Sequence, residues 1–469
     1  MRPPQDLIFP RNPEEFYRLR DDRTNRCVAN RGYQSIRTSV SIDSDVARTI
    51  SGQAMMLTTC NLLSRWCRRV EVVCPAAAAD IPSYSGRGLL KDVVIQTMCD
   101  ADPFGNFCIS DSATLEQPIS LHIGPVPPKT RPTVVIDSGG WTASLGSSNG
   151  RIPARFRDAN IIGAVGAACL GVANVFKHAI GVSENSLIAD GLFDLFRLER
   201  VPEDGIFDRG PRLSNLDLGN ILVVGLGSVG SSFVHCLKLS RAICQAMLVD
   251  QDLIKVENFN RSPIFGRTNF ALNKAEAVSL ELDAKRTVAR AFPGTWDEFI
   301  QAFGRPSDYD VWLPLANENG VRGSMQRNVP PMLVHAATNS NWGANHGRHI
   351  AGVDDCLMDR FPSNTGEAAL TCSMGEVLAR GERVDAALPF LSVFAGLLVF
   401  AELVRLHIPG YPQVPNYACV DFGGALSQIQ KWPCEPRPEC PCRNLSPSLY
   451  KLFNRTGRYF GLAFSEHRL

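Results

Sequence analysis

The sequence lacks an excess of either charge: 48 lysines and arginines face 47 acidic residues, for a formal net charge of +1. That balance gives no electrostatic reason to expect nucleic acid or an anionic membrane as partner. No run approaches the ~20 apolar residues that cross a bilayer, and the most apolar stretch, 386–406, is broken by Pro389 and Glu402. Pro3, Pro4, Gln5 and Asp6 stand where a secretory segment would carry its apolar region, so the expected location is cytoplasmic. Clean C-x-x-C pairs are also missing, although cysteine is not scarce at 15 residues. In a chain of this size with no sign of a leader, most of these thiols read as reduced core residues rather than a disulfide framework. Two places resist that reading: the turn around Cys356 and Cys372, and the cluster Cys434, Cys440 and Cys442.

What is present begins with length. The 469 residues exceed one ordinary core, and domains of roughly 100 to 200 residues imply two or three. Proline- and glycine-rich stretches at 124–132, 205–211 and 409–415 punctuate the chain, and the second reads as the main boundary. Just after it, the apolar run 220–225 ends in glycine, 231–239 has helical apolar spacing, and 246–250 is a second buried strand ending in a carboxylate. Together they form a βαβ unit of about thirty residues. The first half offers a helix at 50–68, strands at 70–74 and 133–136, and a small-residue-rich helix at 160–177, comparable to a closing helix at 388–406. It looks like a worn copy of the same architecture without a glycine fingerprint; two unrelated α/β halves are the alternative.

Gly225-Leu-Gly227-Ser-Val-Gly230 fits G-x-G-x-x-G directly after a strand and at a helix start, where backbone N–H groups and the helix dipole hold phosphates. Asp250 lies twenty positions after the last glycine, at the strand end where a carboxylate accepts bonds from ribose hydroxyls. A dehydrogenase would present the same features so far. The next stretch discriminates. Asp250-Gln-Asp252-Leu-Ile-Lys-Val-Glu-Asn258-Phe-Asn-Arg261 is followed, thirteen residues after the arginine, by Lys274. It resembles the D-x-D-x-V-x-x-x-N-L-x-R pattern of the ThiF/MoeB/HesA and ubiquitin-activating enzyme superfamily.

The resemblance implies an α/β chain with a Rossmann-like ATP-binding adenylation domain preceded by a degenerate adenylation-like α/β domain. The expected bounds are 1–205 for the inactive domain, 212–446 for the active one with a crossover loop at 343–385, and 447–469 for a tail. By the same resemblance, Asp250 takes the ribose while Asn258, Arg261 and Lys274 surround the phosphates of ATP. Gly225, Gly227, Gly230, Asp252 and Asn317 complete the nucleotide set, and Arg261 and Lys274 serve catalysis. Fixed cations suit this chemistry, because attack of a carboxylate on the α-phosphate concentrates negative charge. One departure concerns Mg2+: Asn317-Glu-Asn-Gly-Val-Arg322 carries an amide where the family has an aspartate, with Glu318 one position away as a substitute.

The segment 343–383 has few apolar residues and reads as a long functional loop. The resemblance makes Cys372 the first candidate for a thioester-forming nucleophile, with Cys356 as runner-up and His346 and His349 as groups able to polarise either thiol. A buried structural cysteine is the alternative. Cys356, Cys434, Cys440 and Cys442 form a candidate four-sulfur Zn2+ site. The arrangement of a degenerate and an active half resembles bacterial ubiquitin-like-protein activating enzymes. It implies adenylation of the carboxy terminus of a ubiquitin-like β-grasp protein, thioester formation and transfer to a conjugating-enzyme-like partner, with homodimerisation left open. The alternatives are a sulfur-carrier-type adenylyltransferase without a thioester, an NAD-dependent oxidoreductase, and a non-catalytic nucleotide-binding scaffold.

Overall fold

A computed structural model of the chain describes residues 7–26, 28, 32–82, 88–110, 118–125, 131–146, 159–202, 208–213, 216–316, 319–339, 342–357, 388–408, 415–424, 429–438, 440, 442, 458 and 459. In the first half, helices α1 (Pro13–Arg20) and α2 (Asp22–Asn25) precede strand β1 (Arg37–Ile42). Then come α3 (Ile50–Ser64), β2 (Arg69–Val73), α4 (Leu90–Ala101), β3 (Asn106–Ser110), β4 (Ile119–Ile123), β5 (Val134–Gly139), β6 (Thr142–Gly146), α5 (Ile162–Ile180), β7 (Gly191–Asp194) and β8 (Glu199–Val201).

The second half runs β9 (Asp217–Val224), α6 (Ser228–Leu239), β10 (Ile243–Val249), α7 (Lys274–Glu281), β11 (Thr287–Phe292), α8 (Trp296–Phe303), β12 (Val311–Pro314) and α9 (Asn319–Arg327). It closes with β13 (Met332–Thr338), β14 (Gly343–Ile350), α10 (Pro389–Arg405), β15 (Tyr417–Asp421) and β16 (Ile429–Trp432).

The two eight-stranded sheets have the same order. One is β3-β2-β1-β4-β5-β6-β7-β8 and the other β11-β10-β9-β12-β13-β14-β15-β16. In each, the first five strands of that order are parallel and the remaining strands pair antiparallel. The protein is thus mixed α/β with two mostly parallel, Rossmann-like sheets. Parallel strands are covered on both faces and read as unbroken apolar runs, as in Ile221-Leu-Val-Val224, all four buried.

The closing helices α5 and α10 pack on their own sheets and on each other, so the halves share one core. By length and composition α5 is apolar enough to cross a membrane. Its side chains are buried inside the fold instead, and that core position accounts for its apolarity. At Gly396 of α10, an added Cβ would lie 2.5 Å from the backbone nitrogen of Phe233 on α6, so glycine permits the close crossing of these two helices.

Buried cations stitch the halves in a reciprocal way. Lys177 of α5 donates to the carbonyl of Phe422, just past β15, and Arg405 of α10 donates to that of Leu195, just past β7. Burial pulls the Lys177 pKa down to about 8. Arg405 is paired with Glu402 at 2.5 Å, and Glu402 also meets Arg348 of β14 at 3.0 Å. Burial alone would raise the Glu402 pKa, but Arg405 and Arg348 hold it at about 2.

The expectation of a loop from 343 onward is corrected at its start. Gly343–Ile350 is a strand, paired on both sides by β13 and β15. Its charged groups are paired inside the fold: Arg348 bonds Asp354 and Glu402, and His346 lies 3.5 Å from Glu402. Polarity in this stretch reflects a buried ionic network rather than solvent. Residues 358–387, with Cys372, lie outside the described residues, as do Asn317, Glu318 and 460–469.

Candidate functional site

The glycine turn sits where β9 hands over to α6 in the middle of the second sheet. Gly225 adopts φ +93, the left-handed region that costs glycine least. A Cβ there would also lie 2.3 Å from the backbone nitrogen of Ala316. At Gly230 it would meet the Gly225 carbonyl oxygen at 2.1 Å, which fixes how tightly helix and turn pack. A Cβ added at Gly227 would meet nothing within 4 Å. Gly227 is also the N-cap of α6, with no side chain capping the helix, so the first-turn N–H groups face an open approach suited to an anion.

Asp250, directly after β10, lies beside this turn. Its carboxylate accepts from the Leu226 N–H at 2.6 Å and from the Asp252 N–H at 2.9 Å. Burial raises its pKa above the usual carboxylate range, against the pull of Lys274. Asn273 caps α7 and its amide donates to the carbonyls of Asp250 and Asp252 at 2.9 and 3.2 Å. This places Lys274 at the helix start, where Nζ meets the Asp252 carboxylate at 2.6 Å. Lys274 is almost fully buried while Asp252 is exposed, so the ammonium is fixed against the end of β10.

Asn258 closes a short 3-10 turn, its side chain accepting from the Lys255 N–H at 2.8 Å. Arg261 donates to the Glu257 carbonyl at 2.8 Å and to Asn260 Oδ1 at 2.9 Å. Arg322 of α9, the anchor used to place Asn317, is buried and donates to the Ala316 carbonyl at 3.0 Å. The glycine turn, Asp250, Asp252 and Lys274 are thus brought together at one end of the second sheet, with Asn258 and Arg261 on the segment joining β10 to α7.

A second cluster lies between β14 and the carboxy-terminal cysteines. The sulfur of Cys356 lies 2.7 Å from that of Cys440 and 3.4 Å from that of Cys442. His349, Cys356 and Cys442 all present ligand atoms within 4.8 Å of one another, and all are buried. His349 Nδ1 lies 2.7 Å from the Asp355 carbonyl, which leaves Nε2 as the inward electron pair, and the Gln326 amide approaches it at 3.3 Å. That arrangement matches the orienting bond of a metal-ligating histidine. A hydrogen bond from Cys356, together with His349, pulls the Cys442 thiol pKa down.

Three sulfurs and one imidazole are a donor set suited to zinc. The fourth partner is His349, which sequence spacing had offered as a group polarising a thiol rather than as a ligand. Cys434 contributes backbone to the same region, its carbonyl accepting from Asn416 at 2.8 Å. Cys356 is buried inside the cluster, a poor position for a nucleophile.

Residues 37–188 match the family model of the BilD N-terminal domain, a family of a bacterial ubiquitin-like conjugation system. The chain is also similar to "Uncharacterized protein y4jF" of Sinorhizobium fredii (strain NBRC 101917 / NGR234), 24% identical over 344 residues. That similarity covers 71% of this chain and 59% of the relative, so the chain spans well under two thirds of the other protein's length.

Proposed function

We propose that this chain activates the carboxy-terminal carboxylate of a ubiquitin-like protein with ATP, on the ThiF-type end of its second sheet. The observation that carries this reading is the uncapped start of α6 under the open Gly227 turn, flanked by the Asp250 carboxylate and the fixed Lys274 ammonium. A dinucleotide site explains the turn and Asp250, but it has no need of a buried cation at the end of β10. The BilD match over the first half supports the same pathway from independent residues.

In this mechanism the α6 N–H groups and Lys274 hold the triphosphate, and Asp250 accepts from the ribose hydroxyls. The substrate carboxylate oxygen attacks the α-phosphorus. A new acyl–O–P bond forms, the α–β bridging bond breaks, and pyrophosphate leaves. Arg261 and Lys274 balance the charge that accumulates between these oxygens. Cys372 as thiolate then attacks the acyl carbon and releases AMP, giving a thioester for a conjugating partner. Mg2+ bound with ATP would supply charge screening of its phosphates, with Asn317 or Glu318 as the side chains that would hold it.

Zinc would be held by His349, Cys356, Cys440 and Cys442, tying the carboxy-terminal cysteines to β14 as a structural centre. The test is ATP–pyrophosphate exchange by the full chain with small β-grasp proteins encoded near its gene. Exchange that depends on both the small protein and Arg261 supports the proposal. Confirmed ATP binding without exchange would favour the nucleotide-binding scaffold instead.

A further inference from the structure

The segment that carries Arg261 is gripped by the opposite half of the molecule. Arg65, one residue past the end of α3, is 2% exposed. Its guanidinium donates to the carbonyls of Phe259 and Phe265, each at 2.7 Å, and to that of Pro263 at 3.0 Å. One turn earlier, Asn61 accepts from Arg65 Nε at 3.0 Å and donates to the same Pro263 carbonyl at 2.9 Å. Farther along, Asp100 of α4 accepts from the Thr268 N–H at 2.8 Å. Asn260, whose oxygen holds Arg261, donates to Thr24 of α2 at 3.3 Å.

This grip is an expensive way to hold two surfaces together. The acceptors bonded by Arg65 are neutral, three carbonyls and one amide oxygen, and burial pulls its pKa down to about 9. A packed apolar contact would join the halves without burying a charge. A guanidinium supplies something an apolar contact does not: a rigid planar fork of donors that dictates where several oxygens must lie. Those oxygens flank Arg261 on both sides, at Phe259 and at Pro263 and Phe265.

We propose that Arg65, supported by Asn61, is a positioning residue for adenylation: the first half shapes the Arg261 segment. The inference rests on the adenylation reading of the second half. A half without its own glycine turn is then required for the chemistry of the other, through carbonyls it holds rather than through groups it presents to ATP.

The experiment compares full-length wild type with Arg65→Lys and Arg65→Gln. It measures the dissociation constant for ATP, kcat and KM in ATP–pyrophosphate exchange, thermal midpoint, and amide hydrogen exchange across 257–269. Lysine keeps the charge but cannot bridge three carbonyls. Both variants are expected to lose kcat on the order of 100-fold, the cost of a small misplacement of a catalytic group. The ATP dissociation constant should stay within about threefold, less than ~1 kcal/mol, while amide exchange accelerates within 257–269.

Unchanged kcat in Arg65→Gln overturns the positioning role and leaves adenylation standing. Global unfolding of both variants, or equal loss of ATP binding and kcat, makes Arg65 merely structural and also overturns it. No exchange by wild type removes the adenylation reading itself, and the positioning role with it.

Discussion

The two halves share a sheet order and differ at the tip of one strand. In the second half the chain leaves β9 through Gly225 and Gly227 and enters α6 with its first N–H groups open. In the first half the corresponding connection, from β1 to α3, carries Asp43 and Asp45. The Asp43 carboxylate takes the N–H groups of Asp45 and Val46 at 2.9 and 3.2 Å. Donors that could face a phosphate are satisfied from within, and negative charge stands where an anion would bind. After β2 the next residue is Cys74, where β10 is followed by Asp250. One glycine survives in both halves. Gly52 is the third residue of α3, as Gly230 is of α6, and an added Cβ would meet a turn carbonyl at 2.0 and 2.1 Å respectively. The glycine that lets helix and turn pack is kept, and those that open the turn to a ligand are gone. Architecture and site are separable demands on the same loop.

The largest expected effect lies on the open side. Arg261→Ala should lower ATP–pyrophosphate exchange by about 10³-fold, the scale for losing a cation at developing charge, with the fold intact by circular dichroism. A change under tenfold would remove Arg261 from the chemistry.

Next comes the ionic network of the second half. Glu402→Gln should cost roughly 3–5 kcal/mol in chemical denaturation, because it strips the buried Arg405 of its carboxylate and leaves Arg348 with Asp354 alone. Glu402 has its folded pKa lowered from 4.5 to about 2. Its contribution is therefore complete above pH 4.5 and is lost as pH falls towards about 2. Wild type should lose stability across that window more steeply than the variant, and parallel curves would argue against the pairing.

The retained glycines sharpen the comparison. Gly52→Ala and Gly230→Ala should each destabilise by roughly 1–3 kcal/mol, since a methyl is forced onto a backbone oxygen in both halves. Only Gly230→Ala should also weaken ATP binding. An equal loss of ATP affinity in Gly52→Ala would mean the first half holds nucleotide after all. The smallest effect is reserved for Asp43→Ala, which gives up two turn bonds for about 1 kcal/mol and should leave ATP affinity unchanged by calorimetry.

Much of this was legible locally. The strand, turn, helix and second strand around 220–250 follow from apolar runs and glycine spacing, and Asp250 reaches the Leu226 N–H across only 24 positions. Other features carried a signal that spacing alone could not decode. Asn61 and Arg65 are polar residues four apart at the end of a buried helix, a sign that something polar lies opposite. Their partners, Phe259 to Phe265, are some two hundred positions away. The stretch His346-Gly-Arg-His349-Ile looked like solvent-facing loop because each polar residue was read without its partner.

The sequence by itself determined the α/β class, the glycine turn and the carboxylate beside it, because these depend on backbone conformation and contacts within one βαβ unit. Only the tertiary structure decided that His349 joins Cys356, Cys440 and Cys442, that Arg65 holds the Arg261 segment, and that the two closing helices trade cations across the interface. Each of those joins groups far apart in the chain. A buried polar side chain must find a partner wherever the fold brings one, and no interval in the sequence records where that is.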